Sequence, residues 1–316
     1  MAIYYLQIRS ISRSDGRSAT GAAAYRAGEA IRDERTGRLH NHSGRTDVMH
    51  KEILLPSEGG GAEAAWARDR AVLWNRAEHA ENRRNSRVAR EYEVALPAEL
   101  DPSQRLALTR SFAQDLADRH GVAVDMAIHA PRPLGDARNY HAHLLATTRE
   151  VTAEGLAAKT GLDLSGTERS RRGLPPAIVE FNVIRELWAD LTNGALRAAG
   201  LSERIDHRSL AAQGIDREPT PRIPYAAIQA ERHGLRSELA ERIRAGYRER
   251  VAARTQAAER SAEGARASES PAAPAGSLAE LRRQAREAWL KMREQIVAEP
   301  APARDTQRQN DREFER

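Results

Sequence analysis

The chain has 316 residues, enough for one large domain or two ordinary ones, and carries 50 Lys and Arg against 45 Asp and Glu, a net charge of +5. All but Lys51, Lys159 and Lys291 of those cations are arginine, whose planar fork suits phosphates and stacked bases and so favours a nucleic-acid partner. The absence of cysteine excludes disulfides, thiolate metal sites and thiol nucleophiles, and no run of about 18 apolar residues or signal-like leader is present, so a cytoplasmic protein with no membrane insertion is expected.

In chain order, strand character runs over residues 3–11, 51–55, 90–96, 124–130 and 141–149, with helical patterns between. Ser18 is placed to cap a first helix that carries Tyr25 and runs to about Ile31. Trp66, Leu73, Trp74 and Ala77 form the apolar stripe of a second helix. Leu108, Phe112 and Leu116 form that of a third, which Gly121 stops. Alternating strands and helices that end in a hairpin predict an α+β fold with a central, largely antiparallel sheet and flanking helices.

A polar stretch over 152–174 precedes Pro175 and Pro176, which open a fourth helix with Phe181, Ile184, Trp188, Leu191 and Ala195 at helical spacing. Residues 1–220 are read as one domain. A C-terminal helical extension follows over 221–267, then a Ser/Pro/Ala linker at 268–277, a short amphipathic helix at 278–297 and a disordered charged tail at 298–316.

Three histidines carry the strongest chemical signal. His141 and His143 lie at i and i+2 of one strand and therefore share a face. A fold-back of the loop 131–140, centred near Gly135, sets His129 opposite His141. Three imidazoles on one patch of sheet make a metal-site arrangement. Tyr25 sits in the small-residue segment ATGAAAYRAGE, which lets its helix lie close to a sheet. Arg13, Arg17 and Arg26 around it favour phosphate.

Glu91 and Glu93 alternate with Tyr92 and Val94, so they share a strand face where they either transfer protons, orient metal ligands or meet solvent; Glu34 is a weaker acidic candidate. Arg83, Arg84, Arg87 and Arg90 form a cationic turn expected beside the site, either on phosphates or as a helix terminus.

The segments AIYYLQIRSISRSDGRSATGAAAYRAGE, LWNRAEHAENRRNSRVAREYEVALPAEL, IHAPRPLGDARNYHAHLLATTR and IDHRSLAAQGIDREPT together resemble the MobA/MobL plasmid mobilisation relaxases, members of the HUH endonucleases. The resemblance covers roughly residues 1–220. It implies a ferredoxin- or RRM-like sheet, Tyr25 as nucleophile, His129, His141 and His143 as metal triad, and Glu91 and Glu93 as active-site acids. It also implies nicking and rejoining of single-stranded DNA at an origin of transfer, with a divalent ion (Mn or Mg) and a 5′-phosphotyrosyl intermediate. Arg13, Arg17, Arg83, Arg84 and Arg208 are expected to contact DNA, and relaxosome accessory proteins and a coupling protein are further partners. Tyr5 departs from the pattern, since relatives often carry His there. A rolling-circle initiator normally has its tyrosine after the histidines, whereas Tyr25 precedes them. A non-catalytic DNA-binding accessory protein is the other alternative.

Overall fold

The strand patterns resolve into a five-stranded sheet in the computed structural model, which describes residues 2–132 and 136–268 and a few isolated positions between 283 and 291. The chain divides into two units, Met1–Ser209 and Leu210–Arg316. In the first unit β1 (Leu6–Ser12), α1 (Ala19–Ala27), β2 (Ala30–Arg32), β3 (Leu39–Asn41), β4 (Val48–Leu54), α2 (Arg70–His79) and β5 (Arg87–Ala95) come in order. They are followed by α3 (Pro102–His120), β6 (Val124–His129), β7 (His141–Ala146), β8 (Arg149–Val151), β9 (Leu156–Lys159), α4 (Gly166–Arg171) and α5 (Ala177–Ala198). The sheet order is β1-β5-β7-β6-β4 and every pairing is antiparallel.

Strand alternation gives the sheet two different faces. Tyr92, Val94, Met126, Ile128, Ala142 and Leu144 point to one, where α3 and α5 cover them with Phe112, Leu116, Ile184 and Trp188. Phe112 and Trp188 pack as a tilted pair with ring centroids 5.0 Å apart, and burying side chains of this size contributes about 1.5–3 kcal/mol each. The opposite face is divided. Ile11, Ala89, Ala123 and Leu145 pack under α1 and α2, while towards the other strand ends it carries Arg9, Glu91, Glu93, His129, His141 and His143.

Several boundaries differ from the sequence reading, each for a local reason. Ser18 does cap α1, accepting from the Gly21 N–H, but the helix ends at Ala27 and not near Ile31. Gly28 takes a left-handed conformation (φ 61°), and the chain then turns into the β2–β3 hairpin, which the polar sequence conceals. A Cβ at Gly21 would fall 2.9 Å from the His40 ring of that hairpin, so glycine is what allows the close packing. The polar stretch at 152–174 also contains β9 and α4.

In the second unit the helical extension is two helices, α6 (Tyr225–Arg232) and α7 (Glu238–Ser268), broken at Gly234 with φ 77°. Arg244 pairs with Glu231 across that break. The expected turn centre at Gly135, and the linker, helix and tail beyond Ser268, lie outside the described residues apart from those isolated positions. Among the described residues no helix is long and apolar enough to cross a membrane.

Candidate metal centre and nucleophile

The β6–β7 pairing sets His129 directly opposite His141, and Ala127 opposite His143. The three imidazoles therefore meet on one face, with ring centroids 5.0–5.3 Å apart and ligand-capable atoms all within 4.8 Å of one another. His129 and His143 are buried and His141 is half-buried.

Each ring has one nitrogen committed as a donor. His129 Nε2–H donates to the Arg26 carbonyl at 2.8 Å, His141 Nδ1–H to the Asn139 carbonyl at 3.0 Å, and His143 Nδ1–H to the Glu91 carboxylate at 2.9 Å. These bonds fix the tautomers and leave a lone pair on His129 Nδ1, His141 Nε2 and His143 Nε2. Burial pushes the His129 pKa down to about 4 and also lowers that of His141, so both rings are neutral at ordinary pH. Three imidazole nitrogen donors with fixed orientation suit a divalent metal ion, and three protein ligands leave coordination positions for a substrate.

Glu91 is not on a solvated strand face. It is fully buried, and besides His143 it receives Arg9 Nε at 2.6 Å and the Arg26 guanidinium, with Arg17 Nη2 at 4.0 Å. Burial alone would raise its pKa, but the His143 hydrogen bond and the Arg26 charge outweigh that and hold it well below the usual carboxylate range. A carboxylate so saturated is a poor proton acceptor, and its hydrogen bond holds the His143 ring in place. Glu93, in register with His143, is partly exposed and pairs with Arg9 at 2.6 Å.

The C-terminus of α1 is bonded into this centre. Its last carbonyls have no helical partners. That of Tyr25 accepts from Arg45 at 2.8 Å, that of Arg26 from His129, and that of Ala27 from Lys51 at 2.9 Å. Arg26 therefore serves His129 with its carbonyl and His143, through Glu91, with its guanidinium. The Tyr25 ring, 41% exposed, stands at the edge of this arrangement against His42. At the other end of α1 the buried Glu78 accepts the Ala19 N–H at 2.6 Å and pairs with Arg13 at 2.7 Å.

The remaining candidates fall in several places. Arg17 reaches the Glu91 side of the site. Arg13 does not: its guanidinium is 8% exposed and is consumed by Glu78 and by the carbonyls of Glu78, Glu81 and Arg83. It is a structural clamp rather than a phosphate contact. Arg83 and Arg84 are exposed in the turn before β5. Six residues separate the start of β5 from Glu93, so this turn lies about 20 Å from the triad along the strand rather than beside it. Arg90 points to the opposite sheet face, where it is buried against Asp163.

Arg208 pairs with Asp206 at 2.7 Å on an exposed segment after α5, and Glu34 is exposed 3.9 Å from His79. Tyr5, whose carbonyl accepts from Ala95 N–H at 3.3 Å, is level with His141 but two strands away, about 10 Å. Sequence reasoning missed Arg45 and Asp47 and gave Arg26 no structural part. The only local signal was the basic residue directly after Tyr25.

The profile of the MobA/MobL family matches residues 17–233. Mobilization protein MobL of Acidithiobacillus ferridurans is 42% identical over 255 residues, covering 73% of this chain and 64% of that protein. A probable mobilization protein MobA of Bifidobacterium longum is 34% identical over 269 residues, covering 75% and 46%. The chain thus spans less than two-thirds of the length of either relative. A solved structure described as the molecular basis of vancomycin resistance transfer in Staphylococcus aureus is 30% identical with a TM-score of 0.54, covering 66% of this chain and all of that one. The family profile takes in well over half of the residues, and the chain belongs to the MobA/MobL family.

Proposed function

We propose that the chain is a relaxase that nicks and rejoins single-stranded DNA at an origin of transfer by tyrosine transesterification. The observation that carries this reading is the bonding of the Tyr25-bearing helix to the three-histidine centre through the carbonyl and guanidinium of Arg26. The family's mobilisation proteins agree with it.

In the reaction the Tyr25 hydroxyl oxygen attacks the scissile phosphorus. The O–P bond to Tyr25 forms as the bond from phosphorus to the 3′ oxygen breaks, and that oxygen leaves with the electron pair. The phenol proton passes to water at the exposed ring, and a proton from water neutralises the 3′ oxygen. One phosphodiester replaces another, so the 3′ hydroxyl can reverse the step and rejoin a strand. His129, His141 and His143 would hold a divalent ion, which would supply charge to offset the negative charge of the transition state. Glu91 keeps His143 in its ligating tautomer and Arg26 does the same for His129. Imidazole donors favour Mn or another transition metal over Mg.

The test is incubation with Mn²⁺ and single-stranded oligonucleotides that tile the DNA molecule encoding the chain, followed by denaturing electrophoresis. A covalent protein–DNA adduct is expected, and Tyr25→Phe abolishes it with DNA affinity retained. Cleavage that leaves a free 5′ phosphate would identify a hydrolase, and an adduct that moves to Tyr5 in Tyr25→Phe would overturn the nucleophile.

A further inference from the structure

Arg45, on the connection from β3 to β4, touches both halves of the centre. Its guanidinium carbon lies 4.2 Å from the centroid of the Tyr25 ring, and Nη1 donates to the Tyr25 carbonyl. Nη2 lies 3.4 Å from His129 Nδ1, the ring nitrogen whose lone pair faces the cluster. Asp47 holds Nε at 2.8 Å and also takes Nη2, which fixes the plane of the group. The side chain is 16% exposed, so this is an enclosed cation rather than a surface one.

Of the other cations nearby, Arg17 stands on the Glu91 side of the centre, 4.0 Å from that carboxylate, and the rest are committed elsewhere. Arg26 is spent on Glu91, Arg9 on Glu91 and Glu93, and Lys51 on Glu29 and the Ala27 carbonyl.

A phosphate within reach of both the Tyr25 oxygen and the triad must occupy the space that Arg45 borders. We infer that Arg45 is a catalytic residue of the transesterification: it holds a non-bridging oxygen of the scissile phosphate and offsets the charge that builds as the Tyr25 oxygen closes on phosphorus. This rests on the relaxase reading above. The guanidinium suits the task because it keeps its charge at any working pH and presents several N–H donors in one plane. Asp47 and the Tyr25 carbonyl take three of the five, leaving two for a bound anion once the His129 Nδ1 lone pair is given to a metal ion.

The assignment predicts opposite signs for two measurements. Arg45→Met keeps the length of the side chain but removes its cation from beside His129, and frees the Asp47 carboxylate there. A divalent ion should then bind as tightly as in the wild type or more tightly. Adduct formation should fall by about a hundredfold or more, the scale of losing one donor to a developing oxyanion. A purely structural role lowers both together.

The experiment uses the full chain. Mn²⁺ affinity is measured by calorimetry on the protein alone. Single-turnover adduct formation is measured for the wild type, Arg45→Met and Arg45→Lys with whichever tiled oligonucleotide the wild type cleaves. Arg45→Lys, which keeps charge without the planar fork, should fall between the two, and added methylguanidinium should speed Arg45→Met alone. Weaker Mn²⁺ binding in Arg45→Met in step with its lost activity, or an adduct rate equal to wild type, overturns the assignment while leaving the relaxase reading in place. Failure of the wild type to form an adduct on any oligonucleotide overturns both.

Discussion

Replacing Glu91 with glutamine should be among the most damaging isosteric changes available to this fold. The carboxylate is fully buried and serves three donors: Arg26 and His143 on Oε1, and Arg9 on Oε2. A glutamine offers one oxygen in place of two, so its amide nitrogen must face either the Arg26 and His143 pair or Arg9. The Arg26 side chain, 8% exposed, then keeps its charge without a compensating anion. Breaking a buried pair in this way costs about 3–5 kcal/mol. With a urea m-value of about 3 kcal/mol/M, the unfolding midpoint should fall by about 1–2 M.

Metal affinity should drop about ten- to a hundredfold, because in either orientation His143 exchanges an anionic partner for a neutral amide. Combining Glu91→Gln with Arg26→Met removes the stranded charge, and the double variant should be more stable than the sum of the singles by about 0.5–3 kcal/mol. Urea melts followed by circular dichroism and Mn²⁺ calorimetry read these quantities. A loss under about 1 kcal/mol, the range of an exposed pair, with strictly additive singles would refute the reasoning.

The folded His129 pKa of about 4, set first by burial, lies below its unfolded value of about 6.5, so the unfolded chain binds the proton first as pH falls. Metal-free protein should therefore keep this contribution above about pH 6.5, lose about 2 kcal/mol of it by pH 5, and lose the remainder near pH 4; equal urea midpoints at pH 7 and pH 5 would contradict this. The Arg83→Ala, Arg84→Ala double variant should leave Mn²⁺ affinity untouched. On a long single strand it should flatten the salt dependence of binding by about 0.7 for each phosphate no longer neutralised, whereas a short oligonucleotide confined to the scissile bond should show no change, because the turn is about 20 Å from the triad. An unchanged slope in fluorescence anisotropy on the long strand would reduce both arginines to helix-end groups.

What could be read from the sequence was what short-range geometry controls. Alternation placed His141 and His143 on one face, and the spacing of the two strands paired His129 with His141. Ser18 and Gly121 marked helix ends because capping is a property of a few neighbouring residues. The charged framework was illegible for the opposite reason. Arg26 meets Glu91 across 65 residues and Arg45 meets His129 across 84, so each looks like an ordinary surface cation until the sheet brings its partner to it. The same blindness misplaced Arg13 and Arg90. Both sit among charges in the sequence and are buried by Glu78 and Asp163, partners that no local pattern announces.

The strand order carries a consequence for the newly made chain. β7 brings two of the three histidines, and it is the last strand of the five-stranded sheet to be synthesised, yet it lies in the middle, between β5 and β6. Until it inserts, β5 and β6 have unsatisfied inner edges and neither core is closed. At about 5–20 residues per second, a ribosome releases Tyr25 several seconds or more before His143. Throughout that interval the three-histidine centre is incomplete, and a nascent chain that stalls or misfolds before β7 docks never assembles it. The step that completes the hydrophobic core is also the step that brings the three histidines together.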